Sequence, residues 1–124
     1  MANILVAEDE RDIRELIKFT LSYAGHTVTA VGDGATAVDQ AQKATPDLIL
    51  MDVRMPRLTG YQECEQLKQI DALKSVPIVF LSAKGQDEEI QQGINVGAAA
   101  YILKPFSPQD LIDRVSEILK YGVQ

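Results

Sequence analysis

A chain of 124 residues, 46% hydrophobic and 24% charged, is long enough for one domain with a proper core and too apolar to be disordered. Its net charge of −6 argues against nucleic acid or an anionic membrane as direct partner, because both need a basic face. The single cysteine, Cys64, excludes an intrachain disulfide, and neither a spanning apolar stretch nor a signal-peptide pattern is present, so a cytoplasmic location is expected.

Ile4-Leu5-Val6-Ala7 is a short solid apolar run that ends in Glu8-Asp9-Glu10. A helix follows, with Ile13, Leu16, Ile17, Leu21 and Ala24 expected on its inner face and Gly25 stopping it. Thr27-Val28-Thr29-Ala30-Val31 alternates, which fits a strand at a sheet edge. Asp33-Gly34 opens a helix carrying Ala37, Val38 and Ala41. Leu48-Ile49-Leu50-Met51-Asp52 then reads as a strand buried on both faces and delivering one carboxylate to the rim. A loop with two breakers, Met55 to Gly60, leads to a helix with Tyr61, Cys64 and Leu67 inward. Pro77-Ile78-Val79-Phe80-Leu81 is the fourth strand and ends in Ser82. The next predicted helix, residues 87–96, is weak: it has few large apolar residues, and Gly93 inside it costs ~1 kcal/mol relative to Ala. Ala100-Tyr101-Ile102-Leu103 is the fifth strand, ending in Lys104-Pro105. Ser107-Pro108-Gln109-Asp110 starts the last helix, whose apolar stripe is Leu111, Ile112, Val115, Ile118 and Leu119.

Strand then helix, five times, predicts an α/β fold, a three-layer flavodoxin-like (βα)5 sandwich with parallel sheet order 2-1-3-4-5. One domain over residues 1–124 is expected, with no output domain in this chain. In that order the topological switch lies between the first and third strands. Their ends carry Glu8, Asp9 and Asp52; Ser82 and Lys104 end the fourth and fifth strands on the same rim. Two unit charges 4 Å apart repel by ~4 kcal/mol at an effective dielectric of 20, so three carboxylates invite a cation. An all-oxygen set suits Mg²⁺ better than zinc, and the one His and one Cys lie away from the strand ends. A carboxylate, a hard cation, an ammonium and a hydroxyl can together hold a phosphoryl group. Any one of these residues could be a helix cap or a rim charge; their shared position at matching strand ends points to a site.

The sequence resembles the receiver domains of two-component response regulators, of the stand-alone, chemotaxis-regulator-like kind, along its whole length. The matching stretches are Ile4 to Glu10, Leu48 to Asp52 with Met55-Pro56 and Gly60, Ser82-Ala83, and Gly97-Ala98 through Tyr101 to Lys104-Pro105-Phe106. The resemblance implies that Asp52 accepts a phosphoryl group from a sensor histidine kinase or a His-phosphotransfer protein. It implies Mg²⁺, with Mn²⁺ as a substitute, held by Asp9, Asp52, Glu8 through water and the backbone carbonyl of Arg54. Lys104 and Ser82 would contact phosphoryl oxygens, and Tyr101 would turn inward once Ser82 moves. Ile13, Arg14, Pro105 and Phe106 would dock the phosphodonor. The readout would be a changed surface on the helix at 87–96, the fifth strand and the last helix. That surface would meet a downstream protein target in a monomer or a weak phosphorylation-dependent dimer, with no direct contact to nucleic acid or membrane. Departures from the family pattern include Glu8 in place of the commoner Asp, Thr59, and Ala99-Ala100; none removes a core group.

Other residues read as structural. His26 is expected in a surface loop, Arg11 and Arg14 as solvated, and Asp33, Asp39 and Asp71 as turn and surface acids. The chain is thus expected to be a signalling switch and not an enzyme with an external substrate. A Mg²⁺-dependent phosphohydrolase would need a second acid two residues beyond Asp52, where Arg54 stands. A flavin-binding domain would need a hydroxyl-rich loop after the first strand, where the acids stand. A receiver kept only as an adaptor would not need the intact site.

Overall fold

Solid apolar runs become central strands when both faces of a sheet are covered, and the computed structural model of the chain has that arrangement. It describes residues 2–52, 60–83, 100–104 and 106–121. The elements are β1 (Asn3–Ala7), α1 (Arg11–Tyr23), β2 (Thr27–Val31), α2 (Gly34–Lys43), β3 (Leu48–Asp52), α3 (Gly60–Lys68), β4 (Ile78–Ala83), β5 (Ala100–Lys104) and a C-terminal helix (Pro108–Tyr121). The five strands form one parallel sheet in the order β2-β1-β3-β4-β5, as the patterning predicts. The Met55–Thr59 loop, the predicted helix at 87–96, Arg54 and Pro105 lie outside the described residues.

Alternation along each strand divides the core in two. Leu5, Ala7, Ile49, Met51, Ile78 and Phe80 face Ala37 and Ala41 of α2 and Cys64 and Leu67 of α3. Ile4, Val6, Leu48, Leu50, Val79 and Leu81 face Ile17 and Leu21 of α1 and Leu111, Val115 and Ile118 of the C-terminal helix. Every residue of β3 is buried, whereas β2 alternates exposed with half-buried positions, as an edge strand should. The period of two places Asp52 on the face of Leu48 and Leu50. Glu8, just past β1, continues the face of Ile4 and Val6.

The helix signals act where the residues place them. Asp33 caps α2, its carboxylate accepting from the Thr36 N–H at 2.7 Å and from the Thr36 hydroxyl at 3.0 Å. Ser107 Oγ accepts from the Asp110 N–H at 3.1 Å. Gly25 ends α1 at φ 101°, and the His26 N–H reaches back to the Leu21 carbonyl at 3.1 Å. Asp39 and Asp71 form exposed ion pairs with Lys43 and Lys74.

Two local expectations need correcting. The inner face of α1 is Ile17, Thr20 and Leu21, with Ile13 half-buried; Leu16 is 46% exposed, and Ala24 is exposed at the helix end. Leu16 belongs instead with Phe19 and Tyr23, 72% and 82% exposed, on the neighbouring outer strip. His26 is half-buried, and its Nδ1 accepts from the Ala2 N–H at 3.3 Å. A 3-10 turn at Asp71–Leu73, unmarked by any periodicity, buries Leu73 in the core. Beside it the Lys68 ammonium donates to the carbonyls of Lys74 and Val76 at 3.1 and 2.9 Å, fastening the connection into β4.

Candidate functional site

The carboxyl ends of β1 and β3 are adjacent because β3 crosses over to the far side of β1 from β2. Pairing of Ala7 with Met51 makes Glu8 and Asp52 the next residues along two neighbouring parallel strands, on the same face. Glu8, Asp9 and Asp52 accordingly each offer one carboxylate oxygen, and these oxygens lie within 4.8 Å of one another. Glu8 is fully buried and Asp52 only 6% exposed, while Asp9 is exposed. Two buried acids and one open to solvent give a site with an entrance.

The corner that carries Glu8 and Asp9 is fixed through the main chain. The Glu8 N–H donates to the Val31 carbonyl of β2 at 3.0 Å. The Glu8 carbonyl accepts from Arg14 Nη1 at 3.0 Å, and one Glu8 carboxylate oxygen accepts from the Glu10 N–H at 3.2 Å. Arg14, expected to be solvated, is therefore half-buried and tied back to the rim. Nothing in its sequence context marks that role except its place at the end of the first helical turn.

The register carries two more of the expected residues to this rim. Asp52 pairs with Leu81, so Ser82 is one step further along the neighbouring strand; Lys104 pairs with Ala83 at the end of β5. Tyr101 is half-buried on the opposite face, its ring 5.7 Å from that of Phe80 and tilted by 43°. Ile13 and Phe106 are half-buried and pack against the core beneath α1 and the C-terminal helix. Cys64 is buried in the other half of the core, and burial pushes its thiol up to about 11, so it remains protonated and apart from the site.

The donor set fits a hard divalent cation. Three carboxylates converge without His or Cys, the pattern of oxygen-ligated ions, and two of them are withdrawn from the water that would otherwise screen their repulsion.

An open parallel α/β sheet with carboxylates gathered at its topological switch point defines a doubly wound domain, a class of fold whose ligands bind at the carboxyl edge of the sheet. Comparison with known proteins makes the class specific: residues 4–116 match the response regulator receiver domain family, and the chain belongs to it. It is 38% identical over 117 residues to the phosphate regulon transcriptional regulatory protein PhoB of Escherichia coli, covering 94% of this chain and 51% of that protein. The alkaline phosphatase synthesis transcriptional regulatory protein PhoP of Bacillus subtilis is also 38% identical over 117 residues, covering 94% of this chain and 48% of that one. The chain thus spans about half the length of these curated relatives. Among solved structures, the chemotaxis response regulator CheY4 of Vibrio cholerae superposes with a TM-score of 0.91 at 35% identity, covering 95% of this chain and 98% of that one. The chain is therefore a receiver domain of two-component response regulators, a family of phosphorelay signalling switches.

Proposed function

We propose that this receiver is switched by phosphorylation of Asp52, with a magnesium ion held by Asp9, Asp52 and, through water, Glu8. The observation that carries the reading is the convergence of the three carboxylates within 4.8 Å at the ends of β1 and β3. When bound, the cation would neutralise phosphoryl oxygens and hold them against the acceptor.

The chain's own residues do the rest. A carboxylate oxygen of Asp52 attacks the phosphorus of a phosphohistidine on a sensor kinase or phosphotransfer protein. The phosphorus–nitrogen bond breaks, its electron pair leaves with the imidazole, and the ring nitrogen then takes a proton from water. Burial holds Asp52 on its strand and preorganises the attacking group. Lys104 supplies the ammonium for one phosphoryl oxygen and Ser82 a hydroxyl for another, as their strand-end registers support. Arg54, outside the described residues, would supply a further ligand through its main-chain carbonyl. Ile13, Arg14 and Phe106, with Pro105 outside the described residues, would dock the phosphodonor.

Phosphorylation adds charge and acceptor oxygens at the end of β3, and Ser82 on the adjacent strand is the group that answers it. Tyr101 would carry the change to the surface of β5 and the C-terminal helix and to the segment 87–96, which lies outside the described residues, and a downstream protein would bind there. The acidic balance of −6 favours a protein partner over direct contact with nucleic acid. The domain acts as a module and turns over no external substrate.

Incubation with a small acyl phosphate and Mg²⁺ tests the proposal. One alkali- and hydroxylamine-labile phosphoryl group per chain is expected, lost in Asp52→Asn and on chelation of the metal. Many turnovers of a phosphate ester, or an adduct that survives Asp52→Asn, would show a different chemistry.

A further inference from the structure

We propose that Arg14 is a positioning residue for the cation site: it holds the main chain at Glu8 so that the carboxylates of Glu8 and Asp9 meet that of Asp52. The inference rests on the cation-binding reading given above and adds to it the device that shapes the site.

Glu8 stands at the point where β1 stops and the chain turns toward α1. Its N–H is fixed by the Val31 carbonyl at 3.0 Å, a continuation of the β1–β2 ladder. Its carbonyl, in the next peptide unit, is fixed by Arg14 Nη1 at 3.0 Å. The two bonds set both peptide planes flanking Glu8, and hence the directions in which Glu8 and Asp9 leave the backbone. The start of α1 gives no comparable help: its N-cap residue, Glu10, makes no side-chain capping bond, and its N–H is satisfied by the Glu8 carboxylate at 3.2 Å. Arginine suits the task because its planar fork is rigid and always charged, so the bond to the carbonyl is charge-assisted.

A second observation concerns Gly32, on the loop after β2. A Cβ built there would lie 3.0 Å from Arg14 Nη1 and 3.7 Å from Cζ. Its φ lies outside the left-handed region, so its backbone does not demand glycine. The guanidinium occupies the space that a side chain would take. Arg14 and Gly32 are thus two parts of one fit, from separate elements, that meets at the Glu8 carbonyl.

The positioning role and the bare charge of Arg14 predict opposite signs. A guanidinium near three carboxylates repels an incoming cation, so removing it for its charge alone would tighten metal binding. Removing a strut that orients two ligands would loosen it.

Titration of the full chain with Mn²⁺, following the free ion by electron paramagnetic resonance, separates them. Arg14→Ala and Gly32→Ala are each expected to weaken binding about tenfold, the lower end for loss of a group that orients metal ligands. Arg14→Lys, which keeps the charge and loses the fork, should fall between wild type and Arg14→Ala, and exposed Lys18→Ala should match wild type. Gly32→Ala changes no charge and leaves the packed core untouched, so it decides the matter even if Arg14→Ala fails to fold. Unchanged or tighter binding in Arg14→Ala, or unchanged binding in Gly32→Ala, overturns the assignment. The underlying reading fails separately, if wild type shows no Mn²⁺ site that Asp9→Asn removes.

Discussion

Two corners on the same edge of the sheet carry acids, and they use them differently. After β2, Asp33 spends both carboxylate oxygens on Thr36 and starts α2. After β1, Glu8 and Asp9 converge with Asp52 from β3, and α1 starts without a side-chain cap from its own N-cap residue. The residue type is the same, and the local grammar of strand, acid and helix is the same. Position in the sheet makes the difference. β2 is at the edge with one neighbour, and the acid after it caps the helix that follows; β1 lies between β2 and β3, so its acids meet a third carboxylate across the switch point. A helix start in the first corner is stabilised where the chain needs only a turn, and left to a longer-range tether where it needs a ligand set.

The sharpest way to break this contrast is to neutralise one acid in each corner. Asp52→Asn removes one carboxylate from a cluster whose two buried members, Glu8 and Asp52, lie within 4.8 Å of each other and as ions repel by roughly 3.5 kcal/mol at an effective dielectric of 20. The metal-free protein should therefore unfold at higher temperature, with a gain on the order of 1 kcal/mol once lost hydrogen bonding offsets part of that relief. Its melting temperature should no longer respond to Mg²⁺, whereas wild type should rise with metal by mass action. Asp33→Ala should do the reverse. Loss of the cap costs ~1 kcal/mol in chemical denaturation, and the Mg²⁺ response stays as in wild type. A loss of stability in Asp52→Asn equal to that in Asp33→Ala would show that both acids are structural.

A smaller effect sits at the opposite end of the sheet, where no site is expected. Burial, and then the positive charge of the amino terminus, hold the His26 pKa below its usual 6.5. The neutral ring also accepts the Ala2 N–H. The folded state binds this proton less readily than the unfolded chain does, so the contribution is fully present above pH 6.5 and is lost as pH falls below it. Urea midpoints measured across that range should decline toward acid in wild type and decline less in His26→Gln, with Mg²⁺ affinity at neutral pH the same in both. An identical acid slope in the two proteins would remove His26 from the account.

Much of this was legible in the sequence because the central strands are unambiguous. A run such as Leu48 to Met51 has no polar side, so it must be covered on both faces, and the acid that ends it must lie at the rim. Strand order followed from the one strand that alternates. Helix faces were less legible. On α1, two apolar strips lie side by side, and Leu16, Phe19 and Tyr23 make as good a stripe as Ile13, Ile17 and Leu21. Only packing against β1 and the C-terminal helix chooses between them, and it admits Thr20 in place of Leu16. Long polar side chains that reach backbone carbonyls were not legible at all. Arg14 on Glu8 and Lys68 on Lys74 and Val76 depend on where a distant or irregular segment passes, which no local pattern encodes. The same holds for His26, whose partner is the start of the chain.

On the reading proposed above, acids from two different strands share one cation. Calorimetric titration of Mg²⁺ into wild type, Asp9→Asn, Asp52→Asn and Asp33→Asn tests it most directly. One site per chain is expected in wild type and in Asp33→Asn, and its loss in both Asp9→Asn and Asp52→Asn. Wild-type affinity retained in either of those two variants would contradict it.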